Sequence, residues 1–187
     1  RDCYGMSRYY FDGDTIVGGK ADKRMICQTK VNEKMGDDLP ITNATEYMGT
    51  IREEGRRVYI ALPNDEEFVL LYDFESEPVA LIETYAELLP KGVKTISTGI
   101  CFKKHGALKN EDGSTAFKGN YAELYTNPYK MVTCNSAPTT WMEGVGTNAG
   151  PLFGLYIPDL GNYPHSYPKK LLSCTVGDGV LYRNSSS

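Results

Sequence analysis

Histidine and tryptophan are scarce in this chain, with two His and one Trp among 187 residues. His105 and His165 alone supply too few imidazoles for a His-rich metal site. The five cysteines, Cys3, Cys27, Cys101, Cys134 and Cys174, lie 24, 74, 33 and 40 residues apart. None of these gaps is short enough for a C-x-x-C redox pair or a zinc knuckle. No cofactor and no metal is implied. Long apolar runs are missing as well. The longest, Phe68 to Tyr72, falls far below the roughly 18 residues a spanning helix needs, so no membrane span is expected. Positive charge is not in excess: 20 Lys+Arg stand against 24 Asp+Glu, a net charge of −4, which does not favour a nucleic-acid partner. The sequence also lacks G-x-S-x-G, H-E-x-x-H, a P-loop and G-x-G-x-x-G, so no familiar catalytic motif is present.

What remains is β-rich. Short β-branched or aromatic segments are bounded by Gly, Pro, Asn and Asp, the pattern of strands separated by turns. They are Arg8–Phe11, Thr15–Val17, Met25–Val31, Glu46–Ile51, Arg57–Leu62, Phe68–Asp73, Val93–Phe102, Thr115–Tyr125, Tyr129–Cys134, Leu152–Ile157 and Leu171–Tyr182. Turns are expected at Asp12-Gly13, Gly18-Gly19, Glu54-Gly55, Pro63-Asn64-Asp65, Asp112-Gly113 and Asp178-Gly179. One segment reads differently. Ser76-Glu77-Pro78 offers an N-cap, and Leu81, Ile82, Tyr85, Leu88 and Leu89 fall on one helical face, which predicts a single amphipathic helix over 76–89. The expected fold is thus mostly β, an antiparallel sandwich or barrel of about nine to eleven strands with that one helix. A single globular domain over 1–187 is expected, with a loose tail at 184–187. Charge is uneven along it: residues 1–91 carry −7 and residues 92–187 carry +3.

The wide cysteine scatter reads as long-range disulfides in an oxidising compartment, two bridges and one odd cysteine that could pair with another chain. Secretion is the expected location. Two N-x-[ST] sequons nominate Asn43 and Asn184 for glycosylation, although composition alone gives about 1.3 sequons by chance.

Catalytic chemistry finds little support. Cys101 and His105 are four residues apart in a strand-like stretch, about 13 Å, beyond hydrogen-bond reach. Carboxylates cluster at Asp12/Asp14, Asp37/Asp38, Glu53/Glu54 and Asp65/Glu66/Glu67, but a hydrolase needs two that converge in space. No catalytic residue is nominated, and the reading leans away from an enzyme. Aromatic residues point elsewhere. The segment Thr139–Pro168 holds Trp141, Phe153, Tyr156, Tyr163 and Tyr167, interleaved with glycines and prolines. Such a stretch resists long regular elements, and its rings bury large areas when they meet a partner. These five are the candidate binding residues, provided that Trp141 is accessible to solvent.

In size and strand content the chain resembles lipocalin-type barrels in outline only. Tyr9-Tyr10-Phe11-Asp12-Gly13-Asp14 lacks the tryptophan that follows the glycine in that family's early motif, and the expected helix lies mid-chain. The leading expectation is a secreted, non-enzymatic binding protein that recognises a protein or glycan through aromatic Gly/Pro-rich loops. A carrier of a small apolar ligand in a barrel cavity is the first alternative, and a hydrolase using acidic residues the second.

Overall fold

A computed structural model describes residues 4–32, 42–64, 67–75, 79–82, 99–126, 130–131, 133–134, 137–138, 140–148, 150–151 and 170–185. The chain divides into two compact units, Arg1–Glu54 with Val58–Leu70, and Gly55–Arg57 with Leu71–Ser187.

The first sheet has the order β1-β2-β3-β4-β5. Its strands are β1 (Tyr4–Val17), β2 (Lys20–Asn32), β3 (Thr42–Glu54), β4 (Arg57–Ala61) and β5 (Val69–Asp73). Sequential neighbours joined by tight turns are what Gly18-Gly19 and Glu54-Gly55 predict. One expected turn is not there. Asp12-Gly13 sits inside β1, where the pairing with β2 shifts between Phe11 and Asp14. Gly13 has φ +73°, a conformation that serves a β-bulge as readily as a hairpin. A second irregularity falls opposite Met25 and Ile26, where β3 offers Gly49 and Tyr47. Here glycine is required, since a Cβ on Gly49 would stand 2.4 Å from the Ala61 carbonyl oxygen.

The first unit buries Met25, Ile26, Cys27, Ile51, Ile60 and Ala61. It also buries an ion pair. Arg52 donates from Nε to Asp22 Oδ1 at 2.8 Å and from Nη2 to Asp22 Oδ2 at 2.7 Å. Its Nη2 reaches the Val17 carbonyl at 2.8 Å, and the guanidinium lies 3.8 Å from the centre of the Phe68 ring. With its hydrogen bonds so filled, this pair tolerates burial that would penalise a lone charge.

The larger sheet runs β13-β12-β8-β15-β14, with β6 and β7 joined through β8 and β9 also on β8. These strands are β6 (Val79–Ile82), β7 (Gly99–Lys109), β8 (Thr115–Thr126), β9 (Lys130–Met131), β12 (Thr140–Met142), β13 (Gly146–Thr147), β14 (Ser173–Val176) and β15 (Gly179–Arg183). A separate ribbon joins β10 (Thr133–Cys134) to β11 (Ala137–Pro138). Strand β8 is the hub. It meets β7 along nearly its whole length, while Phe117 faces β15, Tyr121 to Glu123 face β12, and Tyr125 and Thr126 face β9.

The expected helix over 76–89 is corrected at the residues where it can be checked. Val79–Ile82 form β6, antiparallel to β7 from Val79↔Phe102 to Ile82↔Gly99. A short unbroken run such as Val-Ala-Leu-Ile fits a buried strand as well as a helical turn, and pairing with β7 decides between them. Residues 76–78 and 83–89 lie outside the described residues. No helix occurs among those described.

The cysteine expectation changes too. Cys27 is a buried free thiol and Cys174 a half-buried one. Cys27 lies mid-strand in β2 between Tyr9 and Glu46 of the flanking strands, with its Sγ 3.6 Å from Thr29 Oγ1. Only Cys3, Cys101 and Cys134 are left, enough for at most one bridge, so two bridges are not possible in this arrangement.

Candidate functional site

Trp141, the first of the nominated binding residues, is 3% exposed. It belongs to β12, opposite Ala122 of β8 and Thr147 of β13. Its ring meets Tyr72 edge-on, with centroids 5.1 Å apart and planes at 77°, and Phe74 at 6.4 Å and 62°. The Tyr72 hydroxyl donates to the Pro151 carbonyl, and burial pushes its phenol far above the ordinary range. Gly146 permits the close approach at this point, since a Cβ there would lie 2.7 Å from Pro151 Cα. Trp141 is therefore a core residue and not an accessible anchor, and its part of Thr139–Pro168 is a paired strand. The glycines interleaved in this segment predict a loop, but Thr140–Met142 pair with Tyr121–Glu123 of β8. Phe153, Tyr156, Tyr163 and Tyr167 lie outside the described residues, as does His165.

The other histidine ends a polar chain within the second unit. Arg56 donates to Glu143 from Nε at 2.7 Å and from Nη2 at 3.2 Å. Asn120 donates from Nδ2 to Glu143 Oε2 at 2.6 Å, which turns its carbonyl oxygen toward His105 Nδ1, 2.7 Å away. A carbonyl oxygen can only accept, so Nδ1 is the donor of this bond. The bonds from Arg56 and Asn120 hold the Glu143 carboxyl below its usual range. This arrangement orients an imidazole, but Cys101 is in the same extended strand, about 13 Å along it, out of reach.

Asp14 is bonded to Lys23, and Glu54 to Lys20 at 2.8 Å. Asp37, Asp38, Asp65 and Glu66 lie outside the described residues. No group of three or more His, Cys, Asp or Glu side chains converges to hold a metal among the described residues. No described helix is long and apolar enough to cross a membrane. At the sequons, Asn43 is in β3. Asn184 donates its backbone N–H to Leu172 at 2.8 Å, and its side-chain amide lies 3.4 Å from the Tyr182 hydroxyl.

Three exposed apolar side chains belong to the β14–β15 hairpin. In β14 and β15, Val176 is 64% exposed, Val180 48% and Leu181 39%. The pairing shifts between Cys174↔Tyr182 and Thr175↔Val180, so Leu181 is the extra residue of a bulge. Beneath it Tyr182 is buried with Ala116, Phe117, Met142 and Val145, and Leu108, Tyr121, Leu171 and Cys174 pack around them. The bulge turns Tyr182 inward and leaves Leu181 outward on a rigid base. Asp178-Gly179 marks the turn in the sequence. Nothing local in the run Val180-Leu181-Tyr182 announces the slip in register.

The described residues thus form an all-β protein whose β14–β15 hairpin carries exposed apolar side chains. Compared with known proteins, the chain matches no protein-family model, no curated sequence and no solved structure.

Proposed function

We propose that this chain is a non-enzymatic binding protein whose second unit recognises a protein partner through the β14–β15 hairpin. The observation that carries this reading is that Val176, Val180 and Leu181 of one hairpin are exposed, while Tyr182 of the same hairpin is anchored in a buried cluster. Exposed apolar groups on a fixed base lose little entropy when covered, and covering them removes apolar area from water. Aliphatic side chains favour a protein over a glycan, which is bound mainly by hydrogen bonds and flat aromatic faces. An extracellular location is part of the proposal and rests on the cysteine spacing, with at most one bridge now to support it.

The test is co-purification under native conditions, comparing the unaltered chain with Val180→Asp and Leu181→Ser. These exposed changes should leave stability within about 0.5 kcal/mol and release a bound protein by tenfold or more. A partner retained equally by all three would remove the hairpin from the reading. Release of a small apolar molecule on solvent extraction, with no protein partner, would favour the carrier instead.

A further inference from the structure

The second exposed apolar group lies in the first unit and shares no residue with the hairpin. Met6, Phe11 and Ile16 of β1 are 63%, 56% and 77% exposed. β1 ends its sheet, so among the described residues one of its long edges bears no strand. Edge strands of this length usually carry features that discourage pairing. β1 has one, the bulge after Phe11, but before it the strand is regular from Tyr4↔Asn32 to Phe11↔Met25.

The charges on this strand form a pattern. Asp14 is bonded to Lys23. Arg8 and Asp12 make no ion pair among the described residues, and the Arg8 guanidinium rests 5.5 Å from the centre of the Tyr10 ring. Residues 8 and 10 lie on one face of the strand and residues 9 and 11 on the other, and Asp12 follows at the start of the bulge. Arg8 and Asp12 are thus spaced equally along the chain on either side of Tyr10, with opposite charge.

We propose that β1 pairs with β1 of a second copy of this chain, antiparallel, about a two-fold axis at Tyr10. In that register Tyr10 faces its own counterpart, each Arg8 faces an Asp12, and each Tyr9 faces a Phe11. Directly opposed unlike charges and aromatic pairs stabilise antiparallel strands, and like charges do the reverse. A slip that centres the axis on Arg8 opposes two arginines, and one that centres it on Asp12 opposes two aspartates. The charge pattern therefore favours the Tyr10 register over these two. The bulge limits the paired run to Arg8 through Asp12, and two-fold pairing is closed, so it yields a dimer and not a fibre. An edge contact this short buries little area and makes a reversible dimer, not a permanent one.

The experiment is sedimentation over a wide concentration range on four chains: unaltered, Arg8→Asp, Asp12→Arg, and the double exchange. A concentration-dependent dimer is expected for the unaltered chain. Each single change should weaken it by tenfold or more, because like charges then face each other, and the double exchange should restore it. A monomer throughout, or single changes without effect, or no rescue, would overturn the proposal. A second measurement does not depend on charge. Under mild oxidation Tyr10→Cys, on the axis, should cross-link to its copy faster than Ile16→Cys, which lies beyond the bulge; equal rates would also overturn it.

Discussion

Trp141 carries two roles that exclude each other, and burial decides between them. Wedged against Tyr72 and Phe74, it should emit in the blue and be insensitive to iodide. As it is the only tryptophan, the spectrum reports this site alone. Trp141→Ala should lower stability by about 3–5 kcal/mol, measured by urea denaturation, through the cavity it leaves. Red-shifted, quenchable emission would contradict the packing described. Glu143 offers a second residue-scale test. Its carboxyl is held low first by the Arg56 hydrogen bond. A depressed folded pKa adds stability above the unfolded carboxylate value, near 4.3, and that stability is lost as pH falls through the folded value. Glu143→Gln should therefore cost about 1–2 kcal/mol at neutral pH. The gap between the two proteins should close below about pH 4, as read from urea midpoints across pH.

Turn chemistry predicts several elements well. Gly18-Gly19 and Asp112-Gly113 lie between paired strands, because a glycine at positive φ between apolar runs has few other uses; the turn expected at Asp178-Gly179 lies one residue earlier, at Gly177-Asp178, and Gly179 opens β15. Asp12-Gly13 shows the limit of that rule, since the same dihedral angle makes a bulge when the strand continues in register with its neighbour. Val79–Ile82 shows another limit. Its apolar residues fit two periods, and the choice belongs to β7, which sequence order does not reveal. At β15 the hairpin was legible, but the bulge that exposes Leu181 depends on pairing with Cys174 and Thr175.

Across the whole molecule, thiol reactivity separates the two views of the cysteines. Cys27 is buried, and burial pushes the Cys174 thiol above its ordinary value, which lowers its thiolate fraction and its reactivity. Titrated without reductant, the native chain should react slowly at both positions, and the denatured single chain should show at least three thiols. A single thiol after denaturation would restore the two-bridge arrangement and contradict the structure. Charge differs between the ends of the chain as the sequence requires, yet the ionic contacts named above stay within each unit: Arg52 with Asp22 in the first, Arg56 with Glu143 in the second.

By itself the sequence determined that this is a β protein, because β-branched and aromatic runs bounded by Gly, Pro, Asn and Asp favour strands and turns whatever their neighbours. It also nominated Trp141, Phe153, Tyr156, Tyr163 and Tyr167 from ring content, a property of composition. Whether a ring or an aliphatic side chain meets water is not a property of composition. Trp141 is covered because β8 and β13 flank its strand, and Leu181 is uncovered because one residue is inserted in its ladder. Those are long-range pairings, and exposure follows from them alone.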